Sequence, residues 1–120
     1  MKELEVKTYN FTVQGIGLIK SLEKEFPELV NLSADRQDKE LKQSIGAVSI
    51  KFMDALDAKE AEDFAKNLRE CLSSANKSSE LLKEMGEIKN DIFNNQRIAL
   101  IDESKVIIAK LNTIVSKLIY

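Results

Sequence analysis

The sequence predicts an all-α fold, most simply an antiparallel up-down-up-down four-helix bundle, on three observations. Apolar residues recur at steps of three and four in four separate stretches, as one face of a helix requires. Proline and glycine together number only five in 120 residues, which leaves room for few breaks. One core suits that length, because a chain of this size is long enough to bury a sizeable interior and too short to divide in two.

The first stretch is Tyr9, Val13, Ile16, Ile19, Leu22 and Phe26, closed by Pro27, and it places helix 1 at about residues 7–25. A second series, Leu41, Ile45, Val48, Phe52 and Ala55, follows a polar segment in which Ser33 or Asp35 is placed to cap, so helix 2 is expected over about 34–56. Asp57-Ala58-Lys59-Glu60 has the spacing of a capping box, which closes one helix and opens the next almost without a loop. Helices 2 and 3 are then antiparallel neighbours.

Helix 3, expected over 58–85, carries the cleanest repeat. Ala61, Leu68, Ala75 and Leu82 alternate with Phe64, Cys71, Ser78 and Met85 at heptad spacing. The repeat passes in register through the serine-rich run from Ser73 to Ser79, so one continuous helix is expected there despite weak propensity. Ala75 and Ser78 then mark a close helix contact, and Gly86 ends the helix.

A connection around Glu87–Phe93, with Asn94 or Asn95 as cap, leads into helix 4 at about 95–119. It is the most apolar of the four. Ile101, Ile108, Leu111, Val115 and Leu118 are read as its inward seam, with Leu100, Ile107 and Ile114 as a second row beside it and Ile98 and Ile119 on the flank. A stripe that wide exceeds what one bundle core needs, and it predicts self-association or a protein partner at Leu100, Ile107, Ile114, Ile98 and Ile119. Gly15, Gly17 and Gly46 fall inside helical patterns at a cost of about 1 kcal/mol each relative to alanine, for which close helix packing is the expected reason.

Chemistry is narrowly bounded. With no histidine in the chain, the Ser-His-Asp and Cys-His nucleophile systems and the Glu-x-x-His di-iron site of bundles are excluded. Cys71 is the one cysteine, has no companion for a disulfide or metal site, and reads as a small buried apolar residue. Asp54, Asp57, Glu60, Glu62 and Asp63 cluster at the turn between helices 2 and 3, where carboxylates suit a helix start and need no catalytic explanation. Gly15-Ile16-Gly17-Leu18-Ile19-Lys20 lacks both the preceding strand and the residue order of a phosphate loop. No enzyme activity, cofactor, metal or small-molecule substrate is expected.

Lys and Arg total 18 against 20 Asp and Glu, interspersed along the chain, and all but three of the cations are lysine. That balance speaks against a dedicated nucleic-acid binder. No apolar run of about 20 residues is present to span a membrane, and the start of the chain has no basic-then-apolar order, so a cytoplasmic protein is expected.

Tyr9-Asn10-Phe11, Phe26-Pro27 and Ala47-Val48-Ser49-Ile50, followed by Asp63-Phe64 with Leu68, Leu72 and Ala75, resemble the four-helix-bundle family first met in intervening sequences of 23S ribosomal RNA genes. The chain departs from that family's pattern at Met53 and Leu56, where asparagine and glutamate are usual, and at Lys77, where a glutamate is usual. The resemblance implies a small bacterial bundle without catalytic activity, often a homo-oligomer and sometimes a ring of five. It also implies a second function, RNA or ribonucleoprotein binding, because related accessory proteins of diversity-generating retroelements assist a reverse transcriptase through strongly basic surfaces. At a formal charge of −2 this chain lacks such a surface. The leading expectation is therefore a non-catalytic oligomeric scaffold or adaptor, with RNA binding as the alternative.

Overall fold

The computed structural model describes residues 1–26 and 35–120, with side chains from residue 38 onward in the second segment. Pro27 and the caps expected at Ser33 or Asp35 lie outside the described residues and side chains. Four helices follow in order: α1 over Lys2–Glu25, α2 over Asp35–Asp57, α3 over Ala61–Glu84 and α4 over Asp91–Val115. Each is about 36 Å long at 1.5 Å per residue. They pack side by side into a body measuring 46 × 22 × 19 Å.

Each helix packs on its predecessor and successor, and α4 returns against α1. The cross-helix bonds run in opposite numerical senses, as antiparallel neighbours require. Thr12 and Glu23 of α1 meet Ile45 and Lys42 of α2, and Glu70 and Cys71 of α3 meet Lys51 and Val48 of α2. Glu3 of α1 pairs with Lys110 near the far end of α4 at 2.7 Å. The architecture is an all-α, up-down-up-down four-helix bundle.

The core is one continuous cluster in which α2 contributes Leu41, Ile45, Val48, Phe52 and Ala55, the five positions its periodicity marks. In α3, Leu68, Cys71, Ala75, Ser78 and Leu82 are all fully buried and Phe64 and Met85 partly so, whereas Ala61, expected inward, is exposed at the first residue of the helix and Ala65 is buried in its place; the helix runs unbroken through Ser73–Ser79. Ser78 can be buried because its hydroxyl donates to the Ser74 carbonyl at 2.8 Å. Gly86 follows α3 with φ +73°, a left-handed conformation in which its N–H returns to the Lys83 carbonyl at 3.1 Å.

Three expectations need correction. Helix α1 begins at Lys2, five residues early, and its inward face is Leu4, Thr8, Phe11, Gly15, Leu18 and Ile19, whereas Tyr9 and Val13 are 61% and 51% exposed. The true seam was hidden because two of its positions hold a hydroxyl and a hydrogen. Thr8 loses no hydrogen bond on burial, since it donates to the Leu4 carbonyl at 2.8 Å. Gly15 is required by contact, because a Cβ there would stand 2.9 Å from both Cδ1 and Cγ2 of Ile45.

The second correction concerns helix starts. The Asp57–Glu60 capping box does not form: α3 starts at Ala61 with Glu60 as N-cap and no side-chain bond to the helix. Helix α4 starts at Asp91, where Asn90 accepts from the Phe93 N–H at 3.0 Å, in place of a cap at Asn94 or Asn95. Asn94 instead accepts from the Ile88 N–H at 3.0 Å and from Arg97 Nε at 3.1 Å. Arg97 in turn donates to the Leu82 carbonyl at 3.0 Å, satisfying an acceptor in the last turn of α3.

The third correction concerns α4, whose rows exchange roles. Leu100, Ser104, Ile107 and Leu111 are the buried seam, while Ile101, Ile108, Ile114 and Val115 are partly buried beside it. Ser104 made the seam look broken, yet its hydroxyl donates to the Ile101 carbonyl at 2.6 Å and so belongs inside. The bundle covers both rows by itself.

Candidate functional site

A catalytic reading finds little to build on. Cys71 Sγ is wholly buried and donates to the Val48 carbonyl at 3.2 Å, and burial pushes its thiol up to about 12. So high a value removes the thiolate that nucleophilic chemistry needs. Asp54, Asp57, Glu60, Glu62 and Asp63 are all exposed to solvent. Among the described residues no three His, Cys, Asp or Glu side chains stand together as a metal site.

An open groove of about 440 Å³ runs between α1 and α4 where Gly17 and Ala99 are small, lined also by Gln14, Ser21, Gln96 and the buried Leu18 and Leu100. Gly17 has nothing within 4 Å of a built Cβ, so it serves no packing inside the chain. Gly46 is the same, and the close-packing role expected for it is overturned. Of the small residues singled out from the sequence, Gly15, Ala75 and Ser78 lie at buried helix contacts and Gly46 does not.

The residues expected at a docking surface on α4 separate. Leu100 and Ile107 are 2% and 0% exposed, so neither meets a partner, and Ile114 packs partly buried against the core. Ile98 and Ile119 are exposed, Ile119 beyond the helix end, but each stands apart from the other.

Ile92 and Val106 of α4 are exposed as well, but a longer row of exposed apolar residues lies on α1 and α2. Val6, Tyr9 and Val13 are each more than half exposed, and with the half-buried Ile16 they repeat at steps of three and four down the outside of α1. Lys2 precedes this stripe and Lys20 and Lys24 follow it, all exposed at the same helical spacing. On α2 the outward positions are Gly46, Ile50, Met53 and Asp57, again at steps of four, three and four. Ile50 is 60% exposed, and Met53 and Leu56 are exposed as well. The departures from the family pattern at positions 53 and 56 thus place apolar side chains on the surface.

These two stripes share one face. Thr12 and Glu23 mark the flank of α1 that meets α2, and at 100° per residue Tyr9 and Ile16 lie next to that flank. Ile45 and Lys42 mark the reciprocal flank of α2, with Gly46 and Met53 beside it. Sequence reading assigned Tyr9 and Val13 to the core and passed over Val6 and Ile50. The available signal was the second three-four repeat in α1, which runs alongside the one that packs inward.

Glu23 pairs with Lys42 at 2.7 Å, and the lysine's hydrogen bond holds the Glu23 carboxyl below its usual range. Lys51 likewise lowers Glu70 across the α2–α3 boundary at 2.9 Å. Among the described residues, Lys2, Lys20, Lys24, Glu40, Asp54 and Asp57 have no opposite charge within 4 Å in any ion pair.

No protein-family model matches the sequence, and no curated protein does. Among solved structures, the chain is similar to a protein of unknown function from the S23 ribosomal protein family of Bacteroides thetaiotaomicron, with a TM-score of 0.77 at 20% identity. The match covers 95% of this chain and 99% of that one. The chain has the S23 fold. The resemblance read from Tyr9-Asn10-Phe11 and the motifs after it points to the same family, that of the 23S rRNA intervening-sequence proteins. No helix among the described residues is long and apolar enough to cross a membrane.

Proposed function

We propose that this protein is a non-catalytic cytoplasmic scaffold of the 23S rRNA intervening-sequence family, which works by association through the outer face of α1 and α2. One observation carries the reading: Val6, Tyr9, Val13, Ile50 and Met53 are all exposed on two adjacent helices. Apolar groups gathered on one face are uncommon on soluble monomers and favour burial against protein. The exposed side of α3 gives the contrast, since Glu62, Lys66, Arg69, Lys77, Glu80 and Glu84 make it polar along its length.

Self-association is the form this reading takes, with no enzyme activity, cofactor or small-molecule substrate attached. RNA binding gains no comparable support, because Asp and Glu outnumber Lys and Arg by 20 to 18, and at a formal charge of −2 the phosphate attraction that such binding depends on is weak. Light scattering at micromolar concentration tests the proposal. A mass above the 13.6 kDa of one chain is expected, returning to 13.6 kDa in Val13→Glu with helicity retained. A wild-type mass of one chain at every concentration would sink it, and a salt-sensitive gel shift with structured RNA would favour the nucleic-acid reading.

A further inference from the structure

Resting on that reading, we infer that Met53 is a modification site through which peroxides control association, because oxygen transfer to its sulfur makes a sulfoxide that an apolar contact rejects. The chain holds four sulfur atoms, in Met1, Met53, Met85 and Cys71. Two are shielded. Cys71 is 0% exposed, and burial keeps its thiol protonated, so the thiolate that reacts with peroxides is missing. Met85 packs partly buried against the core.

Met1 is exposed but precedes α1, more than a turn before Val6, where the apolar row begins. Met53 is 42% exposed, and it alone of the four stands within the apolar face, three residues from both Ile50 and Leu56 on α2. The bond from Thr12 to the Ile45 carbonyl sets the relative heights of α1 and α2. Counting from it at equal rise per residue brings Met53 level with Val6 and one turn from Tyr9.

The step balances with a hydroperoxide as two-electron oxidant and oxygen donor. A lone pair on the Met53 sulfur takes the terminal oxygen, the O–O bond breaks, and the proton of that oxygen passes through solvent to the departing one, which leaves as water or an alcohol. Sulfur ends as a sulfoxide, and the peroxide is reduced by the two electrons that sulfur gives up. The new S–O dipole accepts hydrogen bonds that the Val6, Val13 and Ile50 side chains cannot donate, so covering it costs what covering the thioether did not. Ile50 and Leu56 fill the same surface with no atom of this reactivity. An assembled chain covers Met53 and a free chain exposes it, so oxidation falls on the free form and holds it there.

Hydrogen peroxide added to the purified full chain tests the site. Peptide mass spectrometry reads oxygen gain at each methionine, light scattering reads the assembled mass, and circular dichroism reads helicity. Sulfoxide at Met53 should weaken association by about tenfold with helicity retained, and Met53→Leu should keep its assembled mass before and after treatment. Met53 should also gain oxygen about tenfold more slowly in concentrated protein than in protein diluted below its association range. Equal rates at the two concentrations, or undiminished mass in wild type oxidised at Met53, overturn the inference and leave self-association standing. So does an equal loss in Met53→Leu, or a loss that comes with melting of the helices, which traces the effect to Met85. Untreated wild type with the mass of one chain at every concentration overturns the reading beneath it as well.

Discussion

Gly15 and Gly17 differ by two positions and by everything around them. Ile45 presses on Gly15 at 2.9 Å from where a Cβ would sit, whereas Gly17 opens onto the α1–α4 groove. Alanine gains about 1 kcal/mol of helix propensity at either site, but at Gly15 overpacking costs about 1–3 kcal/mol. Chemical denaturation should therefore show Gly17→Ala stabilised by about 1 kcal/mol and Gly15→Ala stabilised by nothing or destabilised. Equal gains at both would refute the close approach. Cys71 gives a second prediction. Its folded thiol sits near 12 against an ordinary value of 9.0, so the unfolded chain ionises first. That stability is whole below pH 9 and drains away between pH 9 and 12, by roughly 4 kcal/mol at the end of that window. Cys71→Ser, which has no thiol to ionise, should flatten the alkaline limb of a stability–pH curve, and thiol reagents should label wild type only as fast as it opens.

At the scale of one helix, α4 shows how a buried seam can be disguised. Reading by hydropathy favoured Ile101, Ile108 and Val115 because Ser104 interrupts the row that contains Leu100, Ile107 and Leu111. A serine that bonds to its own helix needs no water, so the row continues through it. Ile107→Glu consequently places a charge at a position with 0% exposure, and a loss on the order of 4 kcal/mol or more is expected. Dissociation of a folded protein by that substitution would contradict the packing. The start of α4 offers a milder test. Asn90→Ala removes the cap on the Phe93 N–H and should cost about 0.5–2 kcal/mol, while Asn95→Ala, at an exposed position inside the helix, should cost nothing measurable.

Over the whole molecule, ion pairs tie α1 to α2, α2 to α3 and α1 to α4: Glu23–Lys42, Lys51–Glu70 and Glu3–Lys110. At the α3–α4 boundary Arg97 reaches the Leu82 carbonyl. Hydrogen bonds from the lysines hold the Glu3, Glu23 and Glu70 carboxyls below their ordinary 4.5. The unfolded chain thus takes up protons first on acidification. Stability from these pairs is complete above pH 4.5 and falls as pH drops through the lowered folded values. Because the pairs are exposed, the loss should be small and should shrink in 1 M salt, which a urea titration between pH 6 and pH 3 can measure.

From its periodicity alone the chain determines four helices, the α2 and α3 seams, the helical passage through Ser73–Ser79 and the stop at Gly86. Those features are local, because a heptad and a glycine at a helix end act within a turn or two of themselves. Which of two parallel stripes faces inward on α1 and α4 was decided only by tertiary structure. On α1 one stripe is more apolar by composition, yet Thr8 and Gly15 go inside because one bonds to its own helix and the other admits Ile45. Tyr9 and Val13 are left outside with Val6. The candidate surface was legible as a set of apolar residues but not as a surface, since exposure depends on what α2 and α4 cover, and no single helix carries that information.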